Sequence, residues 1–123
     1  MSYGPIAEGT LDFSTTNPQT LGPYTAISEF KLAVDEVGMG GGDSINVSVQ
    51  RLKSGGTTYT EIDNFTLTTP IAPPSDPAQG YIPTPEGKWY GNPYGGIQFI
   101  LTYTVAGSNA LPTSIYYDVT QGF

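Results

Sequence analysis

With no His and no Cys, the chain must draw any chemistry from carboxylates, hydroxyls, four amine or guanidinium groups and its aromatic rings. That removes the commonest general base, any thiol nucleophile, zinc knuckles and disulfides. Paired carboxylates remain. Glu29 and Glu61 fall in strand-like segments and, on neighbouring strands, could supply the acid and base of a glycosidase, although strand carboxylates are ordinarily just solvated. The run Asp35-Glu36-Val37-Gly38-Met39-Gly40-Gly41-Gly42-Asp43 sets three carboxylates around a glycine-rich turn, a donor type that suits Ca²⁺. Its spacing is not that of an EF-hand, and a flexible, solvated connection between strands is the favoured account of it. It also lacks the Gly-Lys-Ser/Thr ending of a phosphate cradle and has the wrong charge for one. The reading that follows is of a protein that is not an enzyme and uses no cofactor and no metal.

Recognition has a stronger basis. The segment 69–96 holds seven of the eleven prolines together with Tyr81, Trp89, Tyr90 and Tyr94. Long irregular segments are uncommon inside compact domains unless they have a function, and proline lowers the entropy lost in fixing one shape. Trp89-Tyr90-Gly91-Asn92-Pro93-Tyr94 admits three readings: a protein interface anchored by rings, a sugar-stacking platform, or a cap folded over an open end of the core. The N-terminal segment 1–6, with Tyr3 and Pro5, reads as an arm that lies on a neighbour or as a frayed end. The interface candidates are therefore Tyr81, Trp89, Tyr90, Tyr94, Tyr3 and Pro5. Asn46-Val47-Ser48 and Asn64-Phe65-Thr66 match the glycosylation tripeptide, but no leader accompanies them.

The elements that must position these residues are strands. Ile45, Val47 and Val49 alternate with Asn46, Ser48 and Gln50. Lys53-Ser54-Gly55-Gly56 breaks that pattern and 57–62 resumes it, which predicts a hairpin; Asp63-Asn64 then reads as a turn before a short strand over 65–68. Ile97, Phe99, Leu101, Tyr103 and Val105 share one face of what should be a central strand, and Ile115, Tyr117 and Val119 are in phase in the last. Leu11 and Phe13 suggest a first strand. Between 24 and 34, Phe30, Leu32 and Val34 are in phase but Ile27 is not, so a bulge near Ser28-Glu29 is expected, with a helix as the competing reading. These seven segments with frequent turn signals predict one all-β domain over residues 1–123: an antiparallel β-sandwich or jelly roll of about seven to eight strands with little or no helix. Immunoglobulin hallmarks are missing, since there is no Cys pair and the single Trp falls in a loop.

Composition narrows the partners. Eleven acidic against four basic residues give a net charge of -7, which repels nucleic acid and anionic membranes, and no apolar run is long enough to span a bilayer. The start of the chain has no basic or apolar leader character, so synthesis in the cytosol is the expectation unless a leader has been removed.

An acidic, cysteine-free β-domain rich in Thr, Gly and Pro, with the bare Met1-Ser2-Tyr3-Gly4-Pro5 start, the Gly55-Gly56-Thr57-Thr58-Tyr59 hairpin and the proline-aromatic loop, resembles the small virion structural proteins of tailed phages, capsid decoration or cement proteins in particular. The resemblance is one of overall character and covers the chain without a diagnostic motif. It implies a protein made in the host cytoplasm and located in the virion. Its partner would be the major capsid protein or another virion protein, and a homo-oligomer, favourably a trimer, would reinforce the assembled shell. A carbohydrate- or receptor-binding module of a fibre or extracellular protein, and a tail or baseplate component, are the alternatives.

Overall fold

The computed structural model describes residues 4–35, 37–69 and 88–122, and it is all β among them. Eight strands occur in the order β1 (Gly4–Leu11), β2 (Gln19–Tyr24), β3 (Glu29–Val34), β4 (Ser44–Leu52), β5 (Tyr59–Thr68), β6 (Tyr90–Gly91), β7 (Ile97–Thr104) and β8 (Ile115–Gly122). They form two four-stranded sheets, β1-β8-β3-β6 and β2-β7-β4-β5, in which every pairing is antiparallel. This is the strand order of a jelly roll. The chain doubles back about the β4–β5 hairpin, so β4 meets β5, β3 meets β6, β2 meets β7 and β1 meets β8, and the doubled ribbon then wraps into two layers.

Alternation of apolar and polar residues decides which face of each strand is buried. On β4, Ile45, Val47 and Val49 are fully buried while the residues between them reach the surface. On β7 the predicted stripe holds as far as Tyr103: Ile97, Phe99, Leu101 and Tyr103 are buried, Val105 lies just past the strand and is half-buried, and the strand lies between β2 and β4. Burying each of these side chains contributes roughly 1.5 to 3 kcal/mol before entropy is subtracted. Phe30, Leu32 and Val34 of β3 and Ile115 and Val119 of β8 meet them from the other sheet, and rings cross the layers where Tyr24 stacks on Phe30 and Tyr90 sets its edge against Phe99.

Four expectations need correction. The segment 24–34 is neither a bulged strand nor a helix: β2 ends at Tyr24 in one sheet and β3 starts at Glu29 in the other, and Ile27 is out of phase because it lies on the crossing between them. Asp63-Asn64 is not a turn. The pairing steps from Val49 opposite Asp63 to Gln50 opposite Glu61, so Ile62 is the extra residue of a bulge inside one continuous β5. The first strand precedes Phe13, and its start takes in Gly4 to Ile6 of the expected arm, with Gly4 opposite Gln121 and Pro5 opposite Thr120. Finally, the segment 69–96 is not wholly irregular, because Tyr90 and Gly91 pair with Phe30 and Glu29 as β6.

Candidate docking site

Jelly-roll connectivity gathers the crossing 25–28, the turn 92–96, the start of β1 and the end of β8 at one end of the sandwich. Asn92 builds that end. It is 1% exposed, and its side-chain amide donates to the carbonyls of Tyr24 and Ala26 at 2.9 Å each while its Oδ1 accepts the Gly96 N–H at 2.8 Å. Its own N–H donates to Ser28 O at 2.8 Å. One neutral side chain thus satisfies backbone groups from both loops, the buried Gly96 N–H among them. Glycine at 96 leaves room for its neighbours, since a Cβ there would stand 2.5 Å from Leu52 Cδ1 and 2.8 Å from the Tyr59 hydroxyl and would force those side chains to shift. Ser28 Oγ donates to Gly122 O, and Arg51 Nη1 donates to Gly91 O at 3.0 Å, tying β8 and β4 to the same end.

On these fixed loops two large apolar side chains face outward, Ile27 at 77% exposure and Tyr94 at 48%. Around the corner, on the outer face of the β1-β8-β3-β6 sheet, Pro5 lies opposite Thr120 and Thr120 opposite Lys31. Trp89, the neighbour of Tyr90 in the chain, is half-buried under Lys31, whose Nζ stands 4.9 Å from the centroid of the indole. Ile6, in the irregular step between Pro5 and Ala7, is also exposed.

Of the six candidates read from the sequence, Tyr94 therefore lies at this end, and Pro5 and Trp89 lie on the adjoining outer face of the β1-β8-β3-β6 sheet. Tyr3 and Tyr81 lie outside the described residues. Tyr90 is corrected. It is 7% exposed, packs on Phe99 and donates its hydroxyl to Asp63 Oδ2 at 2.6 Å, so it closes the side of the core between β6 and β5. Lys88 adds an ion pair to the same carboxylate at 2.9 Å. The hydroxyl of Tyr90 and the ammonium of Lys88 together hold the Asp63 carboxyl below its usual range, and burial first, then the Asp63 carboxylate, raise the Tyr90 phenol. Ile27 is the residue missed as a site, and its being out of phase was the signal for it.

Among the described residues, which leave out Glu36, the acidic groups singled out in the sequence do not converge. Glu29 is on β3 and Glu61 on β5, in different sheets and on opposite outer faces, so they do not form a facing pair. Asp43, last residue of the glycine-rich run, is fully buried and saturated: it accepts from the Tyr103 hydroxyl, from the Ala106 N–H at 2.7 Å, from Asn109 Nδ2 at 2.9 Å and from the Gly40 N–H at 3.2 Å. Burial alone would raise its pKa, but these four donors outweigh it and hold the carboxyl below the ordinary value. A Cβ on Gly40 would stand 2.8 Å from Asp43 Oδ2 and 2.9 Å from Asn109 Nδ2, which explains glycine there. Asp35 accepts the Val37 N–H at 2.9 Å, a local turn. Among the described residues no group of three or more His, Cys, Asp or Glu is placed to hold a metal ion. Comparison of the chain with protein-family models, curated proteins and solved structures gives no match.

Proposed function

We propose that the chain is a non-enzymatic virion structural protein, a capsid decoration protein that docks on the assembled shell through the end of the jelly roll carrying Ile27 and Tyr94. The observation that carries this reading is the contrast in burial within one construction: Asn92 locks both loops from inside while Ile27 and Tyr94 stand in solvent. Apolar side chains held rigidly outward lose little entropy on binding and supply the central anchors an interface needs. The jelly roll is a common architecture of capsid and lectin domains, which agrees with the resemblance in composition, though fold alone carries no function. Binding the assembled lattice more tightly than its expanded or dissociated forms would stabilise it by linkage.

The test is co-sedimentation of the protein with capsids lacking it, alongside its mass in solution by light scattering. Retention on capsids by the parent chain, lost in an Ile27→Ser, Tyr94→Ala double variant whose melting temperature is unchanged, is the expected result. Retention by the double variant equal to the parent's refutes the docking end; absence of capsid binding by the parent refutes the decoration role.

A further inference from the structure

The outer face of the β2-β7-β4-β5 sheet is built differently from the docking end. On β4, Asn46, Ser48 and Gln50 point outward; opposite them stand Thr66, Asn64 and Glu61 on β5, and Thr102, Ile100 and Gln98 on β7. Their side chains form one connected network across three strands. Gln98 donates to Gln50 at 2.9 Å, Gln50 to Ser48 at 3.4 Å, and Ser48 to Glu61 at 2.6 Å. Asn64 donates to the same Glu61 oxygen at 2.8 Å and exchanges bonds with Asn46 at 2.7 and 3.3 Å, and Asn46 reaches Thr66 at 3.0 Å. Side chain to side chain bonds are normally a small minority of a protein's hydrogen bonds, and here they are concentrated on one solvent-facing surface.

Sheet stability does not ask for these residues. Asn is disfavoured in strands, and two of them at mid-strand, in place of the Thr, Val or Tyr that pair best across an exposed face, forgo local stability. What they provide is a fixed array of donors and acceptors. Glu61 is the one charged residue among the outward positions just named, so the array offers no cation to a polyanion. A neutral polyol matches it, because each hydroxyl both donates and accepts, and amide and carboxylate groups can bridge adjacent hydroxyls. Ile100, half-buried in the middle of the face, gives the C–H side of a sugar ring an apolar seat.

We infer that the outer face of the β2-β7-β4-β5 sheet is a binding surface for neutral polysaccharide, with Gln50, Glu61, Asn64 and Gln98 as the hydrogen-bonding groups. It is separate from the docking end and does not depend on the capsid reading. In a decoration protein it would leave glycan capture to the sheet face while the loops at one end hold the shell.

Affinity gel electrophoresis of the full chain in dextran, hydroxyethylcellulose and glucomannan, against alginate and polygalacturonate, tests it. Retardation is expected in at least one neutral gel and in neither acidic gel. Gln98→Ala and Asn64→Ala should each weaken it about 3- to 10-fold, the loss of one or two hydrogen bonds, and Tyr94→Ala should leave it unchanged. Thermal melts of the variants confirm that the fold is kept, and Gln50→Ala serves in place of any variant that fails to fold. No retardation by any neutral polymer overturns the inference, as does retardation that the substitutions leave intact. A concentration-dependent dimer abolished by the same substitutions also overturns it, since the face would then belong to a second copy.

Discussion

At the end of the sandwich that carries the proposed docking loops, the closing group is a neutral amide; at the opposite end it is a carboxylate. Asn92 satisfies two carbonyls and an N–H from the loops it joins. Asp43 gathers a hydroxyl, an amide and two backbone N–H groups from 40, 103, 106 and 109. Both are almost completely buried, and both replace a hydrophobic plug with a polar hub. The difference lies in what they need. An amide both donates and accepts, so it can sit among carbonyls at any pH. A carboxylate accepts only, so it requires donors on every side and works only while ionised. The end proposed to meet a partner is thus fixed by a hub that does not titrate, and the acid-sensitive hub is confined to the far end.

The largest effects should come from deleting the hubs. Asp43→Ala takes the acceptor from four donors; Gly40 N–H keeps Tyr103 Oη and Asn109 keeps Gly41 O, but the buried Tyr103 hydroxyl and the Ala106 N–H lose theirs, and the change should cost about 3 to 5 kcal/mol. Asn92→Ala leaves two carbonyls and one N–H unpaired and should cost about 2 to 4 kcal/mol, with the loss felt at the loops bearing Ile27 and Tyr94. Chemical denaturation measures both. A cost below about 1 kcal/mol for either would show that water replaces the hub and that the end is not rigid.

How far these hubs could be read from sequence differs with the kind of signal. Strands with clean alternation, such as 44–52 and 97–104, are legible because one face is buried and the period is two. The crossing at 25–28 was legible only as a fault: Ile27 out of phase marked the place, but a change of sheet and a bulge disturb the period alike. β2 was hidden because its six residues include Gly22 and Pro23. Tyr90 looked like a surface anchor because an aromatic in a proline-rich segment gives no sign of which way it faces, and only the pairing of β6 with β3 turns it inward. Asp43 and Asn92 stood in segments that drew notice, but nothing marked either as a buried hub. Their partners are 60 or more residues away in the chain for Tyr103, Asn109, Tyr24 and Ala26, and no local pattern records a long-range hydrogen bond.

Acid provides the next test. The Asp43 carboxyl is held below its usual pKa, so in acid the unfolded chain binds a proton before the folded one does. Its contribution is therefore complete above the unfolded value of 3.8 and is lost as pH falls through the lower folded value. Asp63 and Glu61 are lowered as well and share the slope. Asp43→Asn should cost about 1 to 3 kcal/mol at neutral pH, because the new amide cannot accept from all four donors, and should make stability below pH 4 less dependent on pH. Asn92→Asp should do the reverse: it places a carboxylate against the Tyr24 and Ala26 carbonyls, destabilises most at neutral pH and recovers in acid. Melting temperature against pH for the two variants checks the signs, and parallel curves would break the contrast between the ends.

The smallest effects compare two tyrosines that do the same job in different surroundings. Tyr103 donates to Asp43 and Tyr90 to Asp63. Burial, and then the carboxylate each one faces, raise both phenols above the ordinary 10.0. In alkali the unfolded chain therefore loses these protons first, and the stability they contribute falls as pH rises above 10. Tyr103→Phe removes a donor from a carboxylate that has no exposure and should cost about 1 to 2 kcal/mol; Tyr90→Phe leaves Asp63 its bond from Lys88 and access to water, and should cost about 0.5 to 1 kcal/mol. Phenylalanine keeps both rings in the core, so the difference reports the hydroxyl alone. Equal costs would mean that Asp43 is no more dependent on its donors than a half-exposed carboxylate, and the far end would then be held by packing of Phe13 on Tyr103 rather than by its charged hub.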